Sequence, residues 1–80
     1  MRLDKFLKVS RLIKRRSVAN EACDVGRVSI GGREVKPAYQ VKIGDILEIR
    51  FGQKTLKIEV LSVDEKTSKA EASNMFREIQ

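Results

Sequence analysis

Residues 2–27, RLDKFLKVSRLIKRRSVANEACDVGR, decide how this chain folds and where its charge lies. Residues 1–36 hold ten Lys/Arg against four Asp/Glu, a net of +6, whereas residues 37–80 hold seven against seven and balance. The whole formal charge of +6 therefore belongs to the first half. A clustered positive potential of this kind attracts phosphates from beyond the range of single contacts, so the expected partner is a polyanion.

The apolar residues of this stretch follow a helical period. Leu3, Phe6, Leu7, Ser10 and Ile13 recur at spacings of three and four, which predicts an amphipathic helix over residues 3–13. Asp4, Lys8, Arg11 and Arg15 would then share its outer side. No Gly or Pro marks an end, so the helix either continues through Lys14, Arg15 and Arg16 or breaks into a turn there. A second helix is expected over residues 16–25, with Ala19, Ala22 and Cys23 as a small-residue face that packs closely on the first. Gly26 suits the left-handed residue that ends it, because glycine takes positive φ without steric cost. The two helices form a hairpin.

Beyond Gly26 the period changes to alternation. Val28 and Ile30, the turn Gly31-Gly32, and Val35 predict a β-hairpin, which Pro37 ends. A connector over residues 39–43 leads to the turn Gly44-Asp45. Leu47, Ile49 and Phe51 form the apolar side of the next strand, and after Gly52-Gln53 the alternation of Leu56, Ile58 and Val60 runs to about Val63. A polar loop covers residues 64–68. The tail to Gln80 holds a short helix around residues 69–73, then Met75, Phe76 and Ile79, whose state the pattern leaves open. The expectation is one α+β domain over residues 1–80, an N-terminal helical hairpin packed on a small antiparallel sheet.

Composition narrows the function. An apolar fraction of 41% with 35% charged residues suits a compact domain. With no apolar run near membrane-spanning length and no signal-peptide pattern, a cytoplasmic protein is expected. The lone Cys23 reads as a small apolar helix residue rather than a reactive thiol. With no histidine, no paired metal-ligand spacing and no phosphate loop between strand and helix, neither catalysis nor a metal or cofactor is expected. The basic face is either an idle solvated surface or a nucleic-acid grip. Clustering favours the grip, since uncompensated like charges destabilise a fold by some tenths of a kcal/mol per pair. An anionic membrane fits less well, because the apolar helix face is needed for the core. DNA reading through the second helix is disfavoured by Glu21 and Asp24 on its outer side. Base stacking is disfavoured because three of the four aromatics, Phe6, Tyr39, Phe51 and Phe76, fall at positions that read as core-facing. Folded RNA, gripped through phosphates and 2′-hydroxyls, fits best.

The residues Arg2-Leu3-Asp4-Lys5, Arg11, Lys14-Arg15-Arg16, Ala19, Gly26-Arg27-Val28, Gly32, Lys36-Pro37 and Gly44-Asp45 resemble the S4 domain over about residues 2–50. Nearly the whole chain is similar to the stand-alone RqcP-like members of that family, relatives of a ribosome-associated heat-shock protein. Two positions depart from the family pattern. Arg15 stands where Ser or Thr usually precedes the second helix, which removes a side-chain cap worth about 1 kcal/mol. Gly31-Gly32 replaces Asn-Gly and keeps positive φ. The resemblance implies a non-catalytic monomer in ribosome-associated quality control that binds large-subunit ribosomal RNA and peptidyl-tRNA. It would assist alanine tailing of stalled chains by an RqcH-like factor. The resemblance also implies that Arg2, Asp4, Lys8, Arg11, Lys14, Arg15, Arg16 and Arg27 contact RNA. For Asp4 two roles stay open, orienting neighbouring arginines or accepting a hydrogen bond from a base or 2′-hydroxyl. Two other functions are compatible with an S4 domain: a structural or assembly protein bound permanently to ribosomal RNA, and a targeting module acting in trans for an RNA-modifying enzyme.

Overall fold

A computed structural model describes residues 1–79; Gln80, the end of the expected tail, lies outside the described residues. The first helix, α1 (Leu3–Val9), is followed by α2 (Arg16–Asp24). Then come β1 (Val28–Ile30), β2 (Arg33–Glu34), β3 (Ile46–Phe51), β4 (Lys54–Val60), a 3₁₀ helix (Lys69–Met75) and β5 (Phe76–Glu78). The strands form an antiparallel sheet in the order β2-β1-β3-β4-β5.

Alternation sets the inner face of the sheet. Val28 lies opposite Ile49, and Leu47 opposite Ile58, so these residues share one side. All four are fully buried, as are Leu3, Phe6 and Leu7 of α1 and Ala19 of α2. One apolar cluster joins the helical pair to the sheet, and Val41 and Met75 complete it. Every residue expected on the inner side of the first helix is buried, including Ser10 and Ile13, which lie past its end. Gly31 and Gly32 have φ of 58° and 82°, the pair of positive values that a two-residue hairpin turn requires.

Four expectations need correction. The first helix stops at Val9 instead of Ile13, because Arg11 turns left-handed with φ of 68°. Asp4 faces inward, so the outer stripe of Asp4, Lys8, Arg11 and Arg15 does not form. The strand expected to reach about Val63 ends at Val60, and the Leu61 and Ser62 N–H groups donate instead to the Met75 carbonyl. Phe51, on the apolar side of β3, is 42% exposed, at the last position of that strand beside the turn into β4. The tail adds β5, which lacks a legible alternation and is held by pairing with β4.

The connector between β2 and β3 positions the N-terminus. The Tyr39 hydroxyl and the Lys42 N–H both donate to the Asp45 carboxylate at 2.9 Å, which holds the turn; that bond and burial raise the tyrosine pKa. The first amides of α1 need acceptors, and Arg2 at the N-cap offers none. The connector provides them: Leu3 N–H donates to the Tyr39 carbonyl at 2.8 Å and Asp4 N–H to that of Pro37 at 3.2 Å.

Candidate nucleic-acid interface

Asp4 lies in the first turn of α1, where the helix dipole favours an anion. Its carboxylate is almost wholly buried and accepts four hydrogen bonds: Lys5 N–H at 2.8 Å, Arg2 Nε at 3.2 Å, Arg2 Nη2 at 3.3 Å and Asn20 Nδ2 at 3.2 Å. Arg16 Nη2 stands 3.6 Å from Oδ1. Residues 16 and 20 are one helical turn apart and so share a face of α2, which is why one carboxylate reaches both. Burial pushes the Asp4 pKa up. The bonds from Asn20 and Arg2, the charge of Arg16 and the Lys5 N–H outweigh it and hold the pKa below its ordinary value. This ionised hub ties α1 to α2, fixes one edge of the Arg2 guanidinium and attracts that of Arg16, while the Arg2 and Arg16 side chains stay 45% and 48% exposed.

The link between the helices presents the next cations. After α1, Arg11 N–H donates to the Lys8 carbonyl at 3.1 Å and Ile13 N–H to that of Leu7 at 3.0 Å, which satisfies the free end of the helix. Ile13 is buried and pins the link, so Arg11, Lys14 and Arg15 project outward. Arg15 is the extended N-cap of α2 and makes no capping bond, as its place in the family pattern implies. Among the described residues, no carboxylate lies within ion-pair distance of Lys8, Arg11, Lys14, Arg15 or Arg27. Lys5, the other cation of α1, is bound to Glu65 at 2.6 Å.

The structure brings Arg2, Asp4 and Arg16 into contact and sets Arg11, Lys14 and Arg15 on the adjoining link, with Lys8 exposed in the last turn of α1. Arg27 belongs to a second group past the C-terminal end of α2. Its carbonyl accepts the Arg50 N–H at 2.8 Å, and Arg50 Nη2 donates to the Gly26 carbonyl at 2.9 Å. Sequence reasoning passed over Arg50, which there is one polar residue on the wet side of a strand. It also passed over Asn20 as a partner of Asp4, although the spacing from Arg16 was visible.

Reactive chemistry is sparse. Among the described residues no group of His, Cys, Asp or Glu gathers to hold a metal. Burial, with Asp4 and Asp24 nearby, pushes the Cys23 thiol up to about 11, so it is not a thiolate at neutral pH. No helix among the described residues is long and apolar enough to cross a membrane.

A helical pair with a cationic link, mounted on an antiparallel sheet, defines a small module built to grip a polyanion. The chain belongs to the S4 domain family, whose profile matches residues 1–47. It is 55% identical to the RQC P-site tRNA stabilizing factor of Bacillus subtilis over 95% of this chain and 88% of that one. The protein of that name from Streptococcus pneumoniae is 49% identical over 95% and 86% of the two chains. Among solved structures, a trimeric structure of Vibrio cholerae Heat Shock Protein 15 aligns with a TM-score of 0.89 and 31% identity. That alignment covers 99% of this chain and 81% of the other. The hypothetical protein HP1423 aligns with a TM-score of 0.82 and 27% identity, over 100% and 98%.

Proposed function

We propose that this protein is a non-catalytic RNA-binding factor of ribosome-associated quality control. It acts as a single S4-type module and a cytoplasmic monomer, docks its helical hairpin on large-subunit ribosomal RNA, and holds peptidyl-tRNA in the P site. An RqcH-like factor then adds alanines to the stalled chain. The observation that carries this reading is the set of cations on the link between α1 and α2 that have no carboxylate partner among the described residues, beside two arginines that approach Asp4. Such a surface offers many donors to phosphates and 2′-hydroxyls. The relatives named for P-site tRNA stabilisation, about half identical over nearly the whole chain, favour tRNA among RNAs. In this reading Arg2, Lys8, Arg11, Lys14, Arg15, Arg16 and Arg27 contact RNA, and Asp4 positions Arg2 and Arg16.

The test is binding to tRNA and to isolated large subunits across a salt series. About five phosphate contacts give a log–log slope of about −3.5 to −4.5. A flat salt dependence, or full binding by the Arg11→Ala/Arg15→Ala/Arg16→Ala variant, refutes the assignment. On sucrose gradients of cell lysate the protein should follow free large subunits carrying peptidyl-tRNA. Uniform occupancy of intact ribosomes would instead make it a structural component.

A further inference from the structure

Phe51 is exposed beside an open hollow. A cavity of about 330 Å³ lies between the helical hairpin and the end of β3, with Leu12, Val18 and Phe51 among its apolar walls and Arg27, Arg50 and Gly52 at one side. A second hollow of about 320 Å³ is lined by Arg27, Arg50 and Gly52 and so adjoins the first. Among the described residues that line either hollow there is no carboxylate. An apolar slot with an aromatic wall that opens directly onto two guanidiniums has the chemistry of a base followed by its phosphate.

We propose that these joined hollows bind one unpaired nucleotide of the RNA chain, the base against Phe51 and Val18 and the phosphate between Arg27 and Arg50. This rests on the RNA-binding reading and extends it, because the eight residues that the S4 resemblance implies as RNA contacts include Arg27 but none of the apolar walls. Three observations favour a nucleotide over a second protein. The apolar surface is small and contains one aromatic ring, 42% exposed, beside Val18, 49% exposed. The two cations lie at its edge and not around a broad rim. Arg50 is also held in place by the Gly26 carbonyl, which fixes part of its fork before any ligand arrives. Leu12 continues the wall into the link that carries Arg11 and Lys14, so RNA gripped there passes the mouth of the hollow.

The assay is amide-shift titration of the full chain by NMR with three probes: the trinucleotide rA3, the same trinucleotide lacking its central base, and AMP. The rA3 probe should shift Val18, Phe51 and Gly52 and bind about 5- to 150-fold tighter than the abasic probe, the range for stacking one base on an aromatic side chain. Phe51→Leu should remove most of that advantage and leave abasic binding unchanged. Its spectrum away from the hollow should match the parent, since the ring is partly exposed. Equal binding of rA3 and the abasic probe overturns the proposal, as do AMP binding tighter than rA3 or shifts confined to Arg2, Arg16 and the link. Concentration-dependent shifts without nucleotide that Phe51→Leu abolishes would assign the hollow to a second copy of the chain. Binding of tRNA separates this result from the broader reading. If Phe51→Leu and parent bind tRNA alike while the base makes no difference, the hollow fails and the RNA reading stands. If the parent does not bind tRNA, the broader reading fails, and the titration still decides the hollow.

Discussion

Replacing Asp4 by Asn keeps the shape of the side chain and removes its charge, which isolates what the hub does. Four donors converge on the carboxylate, two on each oxygen. An amide has one acceptor oxygen, so its NH₂ must face a pair of donors whichever way it turns. The cheaper orientation keeps the oxygen toward Lys5 N–H, which cannot move, and opposes Arg2 Nη2 and Asn20 Nδ2. Bonds to charged groups contribute about 1.5–3 kcal/mol each, but the half-exposed Arg2 can turn to water and is discounted to about 0–1. The sum is about 1.5–4 kcal/mol, a fall in Tm of about 6–30 °C for a domain of this size. Thermal unfolding followed by circular dichroism measures it. The pH dependence gives a second reading. Because the Asp4 pKa is lowered in the folded state, its contribution is present above the ordinary value of 3.8 and is lost as pH falls below it. The parent and variant midpoints should therefore converge in acid. Binding supplies the third. The substitution raises the net charge from +6 to +7, so attraction to RNA by charge alone would strengthen. If Asp4 orients Arg2 and Arg16, affinity for tRNA falls several-fold despite the added charge. Tighter or unchanged binding, or stability within about 0.5 kcal/mol of the parent, refutes the reasoning.

Arg11→Gly removes a left-handed strain of about 1–2 kcal/mol and adds about 0.5–1 kcal/mol of chain entropy cost, so Tm should rise by a few degrees. The salt slope of tRNA binding should lose about 0.7–0.9, whereas Arg11→Ala should lose as much without the gain in Tm. Arg15→Ser restores a capping hydroxyl to α2 and should add about 1 kcal/mol in denaturant unfolding while weakening tRNA binding. Cys23, with its thiol near 11 and buried, should resist iodoacetamide at pH 8 in the folded protein and react promptly in denaturant.

The elements of the fold were legible wherever side-chain period and backbone demand agree. Leu3, Phe6 and Leu7 repeat at helical spacing and are buried, and Gly31-Gly32 satisfies a turn that needs positive φ twice. The end of α1 was not legible, because the left-handed residue there is an arginine, which has no preference for that conformation. Ile13 hid the break, since it is buried as a helical residue would be but from the far side of a turn. β5 was hidden for another reason: its placement depends on pairing with β4, a contact with no local signature. In the site, residue type revealed the cations but not their partners. Asp4 reads as an outer residue from its spacing, and the packing of α1 on α2 turns it inward, whereas Arg50 and Phe51 gain meaning only through the hollow they share with Leu12, Val18 and Arg27.

Three arginines occupy positions whose backbone would be better served by something else. Ser, Thr or Asp suits the N-caps held by Arg2 and Arg15, and glycine suits the φ of 68° at Arg11. The consequences differ. At Arg2 the lost cap is replaced by the Tyr39 and Pro37 carbonyls, so the substitution costs little. At Arg15 and Arg11 no such replacement is made, and each position forgoes about 1 kcal/mol in a domain whose total stability is of order 5–15 kcal/mol. Conformational preference cannot account for one residue type at three sites with different backbone demands. What the sites share is a guanidinium carried by a backbone position that packing has already fixed. A planar guanidinium on such a position can meet a phosphate with two parallel donors, which a lysine ammonium does not match, and at Arg2 the Asp4 carboxylate also holds the fork. Where local rules are broken repeatedly in one direction, the compensating gain lies in function, and here the three arginines fall on the part of the hairpin proposed above to bind RNA.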